Sequence, residues 1–259
     1  MLTIGSKIFD QMKNLLVLLL LSALSSYGQI VNIENKRLSA KQEGFSGSID
    51  LNLNFTMNTK ELFQIGDKIR IGYSKGKHHA LAVTDHSFVK SKDDSFINRG
   101  YEHLRYNYRL QDSSKVIFEA FQQGQFNKIQ KINLRLLLGT GFRFNLIDQK
   151  NYQLSFGTGF MGEYEELIDN GNSADILSTS YLSFDGQFSE NVGLNTISYL
   201  QPKILNSGFY RFSNETYLRF KINKYLSFKL VYSVTHDNRD IEGIRKTNYT
   251  LRNTLSFKF

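Results

Sequence analysis

Apolar and polar residues alternate along most of the chain, beginning near residue 44. In residues 45–57 the odd positions are apolar or glycine, from Phe45 to Met57, and the even positions are Ser, Asp, Asn or Thr. A period of two is typical of a β-strand, because successive side chains point to opposite faces. The alternation recurs and predicts about twelve strands. Besides 45–57 they cover residues 63–73, 79–90, 101–110, 115–123, 132–146, 152–164, 174–188, 192–202, 209–222, 226–236 and 245–259.

The segments between these strands alternate in length. Long connections are predicted at 91–98, from Glu165 to Ser173 and from His236 to Arg245, and tight ones at 189–191 and at 223–224. Outer-membrane barrels combine short turns at one end with longer loops at the other, and an even strand number places both termini on the same side. The connections therefore favour a closed barrel.

One face of the predicted strands avoids charge. In 45–57, 132–146, 152–164, 174–188 and 210–222, no position of the apolar parity is Asp, Glu, Lys or Arg. A charge facing lipid near the midplane costs about 2–4 kcal/mol, so this exclusion favours a membrane. We predict an all-β fold, a transmembrane antiparallel up-and-down β-barrel of about 12 strands. The alternative is a soluble exported β-barrel carrier whose apolar side points inward.

The N-terminal region has the features of a targeting segment. Lys7 and Lys13 precede an apolar run at 15–21, and small residues at 26–28 precede Gln29. This predicts a secretory signal peptide at 1–28 rather than a membrane anchor, because the run is too short to span a bilayer. A short periplasmic tail at 29–43 and an outer-membrane barrel at 44–259 follow. Cysteine is absent, so neither disulfides nor Cys-based metal sites are possible.

The last predicted strand presents four large apolar side chains on one parity. We interpret them as a C-terminal assembly signal: Leu251, Leu255, Phe257 and Phe259. The expected partners are outer-membrane lipid and, through this strand, the barrel-assembly machinery, and the expected location is the cell outer membrane. The sequence does not predict an oligomeric state.

The opposite parity carries charges that would face the lumen. The candidate lumen-facing residues are Arg70, Arg105, Arg109, Arg135, Arg143, Glu163, Asp185, Glu215, Arg219, Lys229 and Arg252. Two interpretations remain open. The charges can pair across strands and plug a narrow lumen, or they can line a slightly anion-preferring passage for small solutes. The formal net charge of +8 is spread over the strands without a basic run, so we expect no nucleic-acid partner.

No set of residues indicates catalysis or a cofactor. The five histidines, His78, His79, His86, His103 and His236, have no metal-ligand spacing with carboxylates. His86 and Ser87 are adjacent in a strand and point to opposite faces, so they cannot form a catalytic pair. An outer-membrane lipid hydrolase, in which His103 joins a distant Ser and Asn, is the enzyme alternative. We expect no enzyme, no catalytic residue, no metal and no cofactor.

Several short segments together resemble a known family. They are residues 44–48, 106–110, 138–142, 156–160, 163–167, 212–218 and 225–232, in this order and at this spacing. The chain from 44 to 259 resembles the salt-induced, YdiY-like outer-membrane protein family. It departs from the family at Met57, where Gly is usual, and in having no Trp. The resemblance implies an outer-membrane barrel with a link to salt or envelope stress, and it implies no catalytic residue.

Overall fold

The structure is a computed structural model that describes residues 43–57, 61–91, 97–110, 115–168, 171–206 and 208–259. The predicted signal peptide and, except for residue 43, the predicted tail lie outside the described residues. The barrel domain was predicted to begin at 44, and the first strand begins at Gly44.

All twelve predicted strands are confirmed within the described ranges. Most of them contain several of the β-branched and aromatic residues that fit a pleated surface. The strands are β1 (Gly44–Met57), β2 (Glu61–Lys75), β3 (His78–Ser91), β4 (Ile97–Arg109), β5 (Val116–Asn127), β6 (Ile132–Asp148), β7 (Tyr152–Leu167), β8 (Gly171–Gln187), β9 (Val192–Pro202), β10 (Tyr210–Lys221), β11 (Leu226–Asp237) and β12 (Thr247–Lys258). No helix in the described ranges is long and apolar enough to cross a membrane.

The strands form one closed antiparallel barrel in which each strand pairs with its neighbours in sequence. The seam joins β1 to β12 in a register that runs from Ser48 opposite Lys258 to Asn52 opposite Thr254. Phe259 extends the seam, because its backbone exchanges two hydrogen bonds with Gly47, at N–O distances of 3.1 and 3.2 Å. Closure leaves no unpaired sheet edge, which is the condition for a sheet to exist in lipid.

The two faces of the barrel have opposite character. Leu136, Phe156 and Leu218 point outward and are 46%, 37% and 36% exposed. Their neighbours of the other parity, such as Arg135 and Arg143, are buried in the interior. The soluble-carrier alternative requires the apolar side chains to point inward, and they point outward. This inside-out distribution is that of a membrane barrel.

Part of the outer wall departs from the apolar pattern. On β2 and β3 the outward side chains include Asp67 and His86, whose Oδ2 and Nδ1 atoms are 3.8 Å apart and whose side chains are 43% and 50% exposed. Glu102 on β4 is also outward and exposed. The charge-free face predicted from the five clearest strands therefore does not extend over β2 to β4. Outward apolar residues flank these polar positions on both sides, as Ile65 and Ile69 flank Asp67.

Connections at the two ends differ in length, as predicted. The end that holds Gly44 and Phe259, here called the terminal end, has turns at 76–77, 149–151, 188–191 and 222–225. The opposite end, here called the loop end, has the longer connections 203–209 and 238–246. The predicted long loop from Glu165 to Ser173 is wrong, because β7 continues to Leu167 and β8 already begins at Gly171. The predicted long loop at 91–98 lies mostly outside the described residues.

Glycines on β6 and β7 bring these two backbones close together. Gly141 and Gly159 are directly opposite each other, and a Cβ on either would collide with the backbone of the facing strand. Gly157 lies under the ring of Tyr181, where a Cβ would also collide. Inward glycines can make room for long side chains or ease bending of the strands. The ring of Tyr181 over Gly157 is a case of the first effect.

Candidate functional site: the charged lumen

The structure places the predicted lumen-facing residues on the inner wall. Seven of them are buried: Arg70, Arg105, Arg135, Arg143, Glu163, Lys229 and Arg252. Four are intermediate in exposure: Arg109, Asp185, Glu215 and Arg219. They do not form one site. Different subsets meet at different depths, and the most extensive cluster also contains residues that sequence reasoning did not select.

Six charged side chains close a ring of alternating sign near the loop end. We call it the ionic ring: Arg135, Glu163, Glu165, Arg211, Asp237 and Arg239. Arg211 bridges Asp237, with Nε 3.1 Å from Oδ2, and Glu163. Arg135 bridges Glu163, with Nε 3.6 Å from Oε2, and Glu165. Arg239 completes the ring by bridging Glu165 and Asp237, with Nη2 2.6 Å from Oδ2.

The ionic ring connects strands that are not neighbours in the barrel. Arg135 lies on β6 and both glutamates on β7, whereas Arg211 lies on β10 and Asp237 on β11. The side chains of Arg135, Glu163, Glu165 and Arg211 are each 3% exposed or less. Three guanidinium groups balance three carboxylates, which lowers the cost of placing six charges in an interior where four of them are almost fully buried.

An aromatic side chain lies against the ionic ring. Phe209, from the connection between β9 and β10, is 6% exposed and packs with Leu137, Met161 and Leu177. The guanidinium carbons of Arg211 and Arg239 lie 5.2 and 5.3 Å from its ring centroid. At such distances the ring face attracts a cation. Phe209 thereby joins the charged cluster to the small apolar cluster beneath it.

Arg239 is the one member of the ionic ring that comes from a connection and not from a strand. Burial by itself would lower the pKa of its guanidinium, but hydrogen bonds to Asp237 and Glu165 outweigh burial and raise that pKa above its ordinary value. The preceding residue, Asn238, fixes the base of the connection: its side-chain amide donates to the Gly208 carbonyl at 2.6 Å, and its side-chain carbonyl accepts from the Tyr210 N–H at 3.1 Å. The connection 238–246 is therefore attached to the lumen by a charged side chain.

A second cluster surrounds Glu119 closer to the terminal end. Arg105 Nη1 lies 3.3 Å and Arg143 Nε 3.9 Å from its carboxylate oxygens. The hydroxyl of Tyr181 donates to Glu119 Oε2 at 2.7 Å, which links β8 to β5 across the two strands between them. A cavity of about 40 Å³ lies between this cluster and the ionic ring.

A third cluster is centred on Asp50. Arg70 Nη2 and Lys229 Nζ lie 2.6 and 3.2 Å from its carboxylate oxygens, and Arg70 Nε donates to Ser48 Oγ at 2.7 Å. These contacts tie β1, β2 and β11 together from the inside. Polar partners also engage two other predicted residues: Asn195 donates to Asp185 at 2.9 Å, and Arg219 donates to Gln187.

The histidines lie on both faces of the barrel: His79, His103 and His236 are buried, whereas His78 and His86 are exposed on the outer wall. His103 is 1% exposed and lies between the rings of Tyr101 and Phe121, at centroid distances of 6.0 and 5.6 Å. His78, on the outside, has Nδ1 2.6 Å from the Tyr106 hydroxyl. No group of His, Asp and Glu within the described ranges is arranged to hold a metal ion.

Sequence reasoning missed five residues of this region for identifiable reasons. The alternation places Glu165 and Arg239 in loops and Asp237 just beyond its strand. Phe209 is uncharged, so a search for charged lumen residues does not select it. The signal that could have found Glu165 is its parity, which is that of Glu163 two residues earlier. Arg211 has the inward parity of β10 and is absent from the predicted lumen set. No local signal directs Arg239 into the lumen.

The fold and the charged interior define a twelve-stranded antiparallel β-barrel of the outer-membrane type. Residues 44–259 match the DUF481 family, described as proteins of unknown function, and the chain belongs to this family. No curated protein matches the sequence significantly.

Among solved structures, an outer membrane channel from Pseudomonas putida F1 is similar over 89% of this chain and 100% of that chain, with a TM-score of 0.53 and 10% identity. The translocator domain of the autotransporter NalP from Neisseria meningitidis covers 86% of this chain and 91% of its own, with a TM-score of 0.48 and 10% identity. The KdgM porin covers 82% and 99%, with a TM-score of 0.48 and 15% identity. The likeness to the Pseudomonas channel supports the fold alone.

Proposed function

We propose that the protein is an outer-membrane passage for small solutes that is closed at rest by the ionic ring. The observation that carries this proposal is the position of Arg239: a charged side chain from the connection 238–246 completes a ring that joins opposite parts of the inner wall. Because Arg239 does not belong to a strand, it can leave the ring while the backbone pairing of the barrel stays intact.

A purely structural barrel would not need such an interior. Buried ion pairs are seldom more stabilising than well-packed apolar residues of similar volume, so their retention calls for another reason. A charged lumen keeps affinity for water and ions, which a passage requires. Cations outnumber carboxylates among the described inward side chains, and this favours small anions over cations.

The proposed location is the outer membrane, with the terminal end facing the periplasm. The outward apolar side chains of β6, β7 and β10 support it, and so does the predicted signal peptide. Four apolar side chains at the end of the chain are exposed on the outer wall. They are Leu251, Leu255, Phe257 and Phe259, which are 64%, 52%, 48% and 65% exposed. We propose that the barrel-assembly machinery recognises this strand and that lipid covers it afterwards.

Planar-bilayer recording of the refolded protein tests the passage. We expect rare, small openings for the unmodified protein and a conductance increase of about tenfold or more for Arg239→Gln, because the loss of one ion-paired group removes about 1.5–3 kcal/mol of the interaction that holds the connection in the lumen. Arg245→Gln is the matched control, since Arg245 is exposed in the same connection and lies outside the ring. Reversal potentials in asymmetric KCl should show anion preference.

Two results would contradict the proposal. Absence of conductance for both the unmodified protein and Arg239→Gln would favour a structural plug. Large, steady conductance of the unmodified protein would show that the ionic ring does not close the lumen.

The proposal includes no catalytic step. A lipid-ester hydrolysis assay on the refolded protein, with His103→Ala as control, should detect no turnover above vesicles alone. Turnover that disappears in the His103 variant would instead support the hydrolase. The resemblance to a salt-induced family adds the expectation that the amount of protein rises with external salt, which immunoblotting of membrane fractions measures.

A further inference from the structure

A second space in the lumen lies beside the ionic ring, on the side of β2 to β5 and β10 to β12. It is a cavity of about 200 Å³ near the loop end, here called the vestibule, and its lining includes Lys68, Asp85, Arg99, Gln125, Glu215 and Arg252. One water needs roughly 10–15 Å³ of such space, so the vestibule has room for a small organic solute.

The charges in the vestibule do not balance within the described residues. Lys68 Nζ lies 2.9 Å from Asp85 Oδ2, and Arg252 Nη2 lies 3.2 Å from Glu215 Oε2. Each of these pairs is neutral. Arg99 adds a further cation, because its Nη2 is 3.9 Å from Asp85 Oδ1, too far for a hydrogen bond. The described residues that line the vestibule therefore carry one excess positive charge.

A donor on the vestibule wall also lacks an acceptor. Arg252 Nε is buried, and no described residue accepts a hydrogen bond from it. The same guanidinium donates to Glu215 Oε2 through Nη2 at 3.2 Å, and its unpaired Nε–H adds positive potential to this wall. The side chain of Arg99 is 32% exposed, so part of its planar fork of donors remains accessible.

The rest of the lining combines three aromatic rings, of Tyr101, Phe126 and Tyr249, with uncharged polar side chains. Asn127, Asn248 and Gln130 contribute amides, and Thr235 and Thr250 contribute hydroxyls. Such groups donate to and accept from hydroxyl groups of a solute. A dianion would be disfavoured, because Asp85 and Glu215 already bring two negative charges to the same wall.

We propose that the vestibule is a binding site for a small hydroxylated monocarboxylate. The carboxylate binds between Arg99 and Arg252, where a guanidinium fork matches its geometry, and the hydroxylated tail lies among the amides of the wall. This inference rests on the proposed passage function and gives that passage its solute class.

Isothermal titration of the refolded protein in detergent with D-gluconate tests the site directly. We expect saturable binding of gluconate, weaker binding of inorganic phosphate and none of D-glucose, which lacks the charge. Arg99→Gln should weaken gluconate binding about tenfold or more, because it removes a charge-assisted hydrogen bond. Arg99→Lys should recover part of the affinity, since it restores charge without the fork. Arg245→Gln removes the same charge from an exposed position at the same end and should leave binding unchanged.

The outcomes distinguish a specific site from a general effect of charge. Absence of gluconate binding to the unmodified protein would overturn the inference, as would equal binding of glucose. Equal weakening by Arg99→Gln and Arg245→Gln would show a general effect of net charge and would also overturn it. If Arg239→Gln conducts while gluconate does not bind, the passage stands and this site fails. If gluconate binds and no variant conducts, the site stands and the passage fails.

Discussion

The ionic ring predicts strong energetic coupling between Glu165 and Arg239. Glu165 is 1% exposed and its carboxylate is engaged by Arg135 and Arg239, with Arg211 Nη2 3.6 Å away. Replacing it with Gln leaves three guanidinium groups facing two carboxylates. Removing one partner of a buried pair costs about 3–5 kcal/mol, and we expect Glu165→Gln to lower the free energy of unfolding by that amount.

Arg239→Gln should cost less. Its side chain is 18% exposed and belongs to a connection that can turn toward solvent, so we expect a loss of about 1.5–3 kcal/mol, the value of hydrogen bonds to charged groups. In the double variant the ring is neutral again, with two arginines and two acids. The second substitution then removes the excess charge created by the first. The double variant should therefore lose about 1–3 kcal/mol less unfolding free energy than the sum of the two single losses.

The measurement is a double-mutant cycle on protein refolded into lipid vesicles. The folded fraction across a urea series follows from the heat-modifiable gel shift, which reports a closed barrel, and from far-UV circular dichroism. A surface pair of the same connection is the control: Lys246 Nζ lies 2.5 Å from Asp240 Oδ1, but the side chains are 40% and 91% exposed. Exposed pairs contribute about 0.2–1 kcal/mol, so the cycle of Lys246→Gln and Asp240→Asn should show little coupling.

The reasoning would be refuted by additivity at the ring. If the costs of Glu165→Gln and Arg239→Gln sum to that of the double variant within about 0.5 kcal/mol, the two residues do not share one network. A coupling no larger than that of the exposed control pair would lead to the same conclusion.

Three further predictions concern the barrel wall. Leu136→Arg should destabilise the protein in vesicles by about 2–4 kcal/mol, because Leu136 faces lipid. Leu136→Phe should be tolerated. Equal stability of the two variants in urea titrations would contradict the outward position of Leu136. Gly159→Ala should reduce the folding yield in the gel-shift assay, since a Cβ there meets the backbone of the facing strand. Gly162→Ala on the same strand, where no heavy atom lies within 4 Å of the added Cβ, should not reduce it. A lower yield for Gly162→Ala than for Gly159→Ala would show that the close approach is unimportant. Phe259→Ala should slow folding into vesicles because its ring covers Gly47 beside the seam, while Phe259→Tyr should fold at the original rate; unchanged kinetics for Ala would remove this role.

The sequence pattern selected individual residues for the lumen but did not identify their partners. Arg211 contacts Glu163 across 48 positions of sequence, Arg239 contacts Glu165 across 74, and Lys229 contacts Asp50 across 179. Such pairs depend on strand register and on the path of the connections. Neither property is visible in a window of a few residues.

The alternation of side chains by itself determined the strands and their two faces, because the direction of a side chain in a strand is a local property of the backbone. Twelve such strands with one apolar face also implied closure, since open edges cannot remain in hydrocarbon. Only the tertiary structure decided which charges meet, that β7 carries Glu165 into the interior, and that Arg239 returns from a loop into the lumen. Those contacts arise where distant strands face one another across the barrel, and Coulomb attraction acts between positions that only the closed sheet brings together.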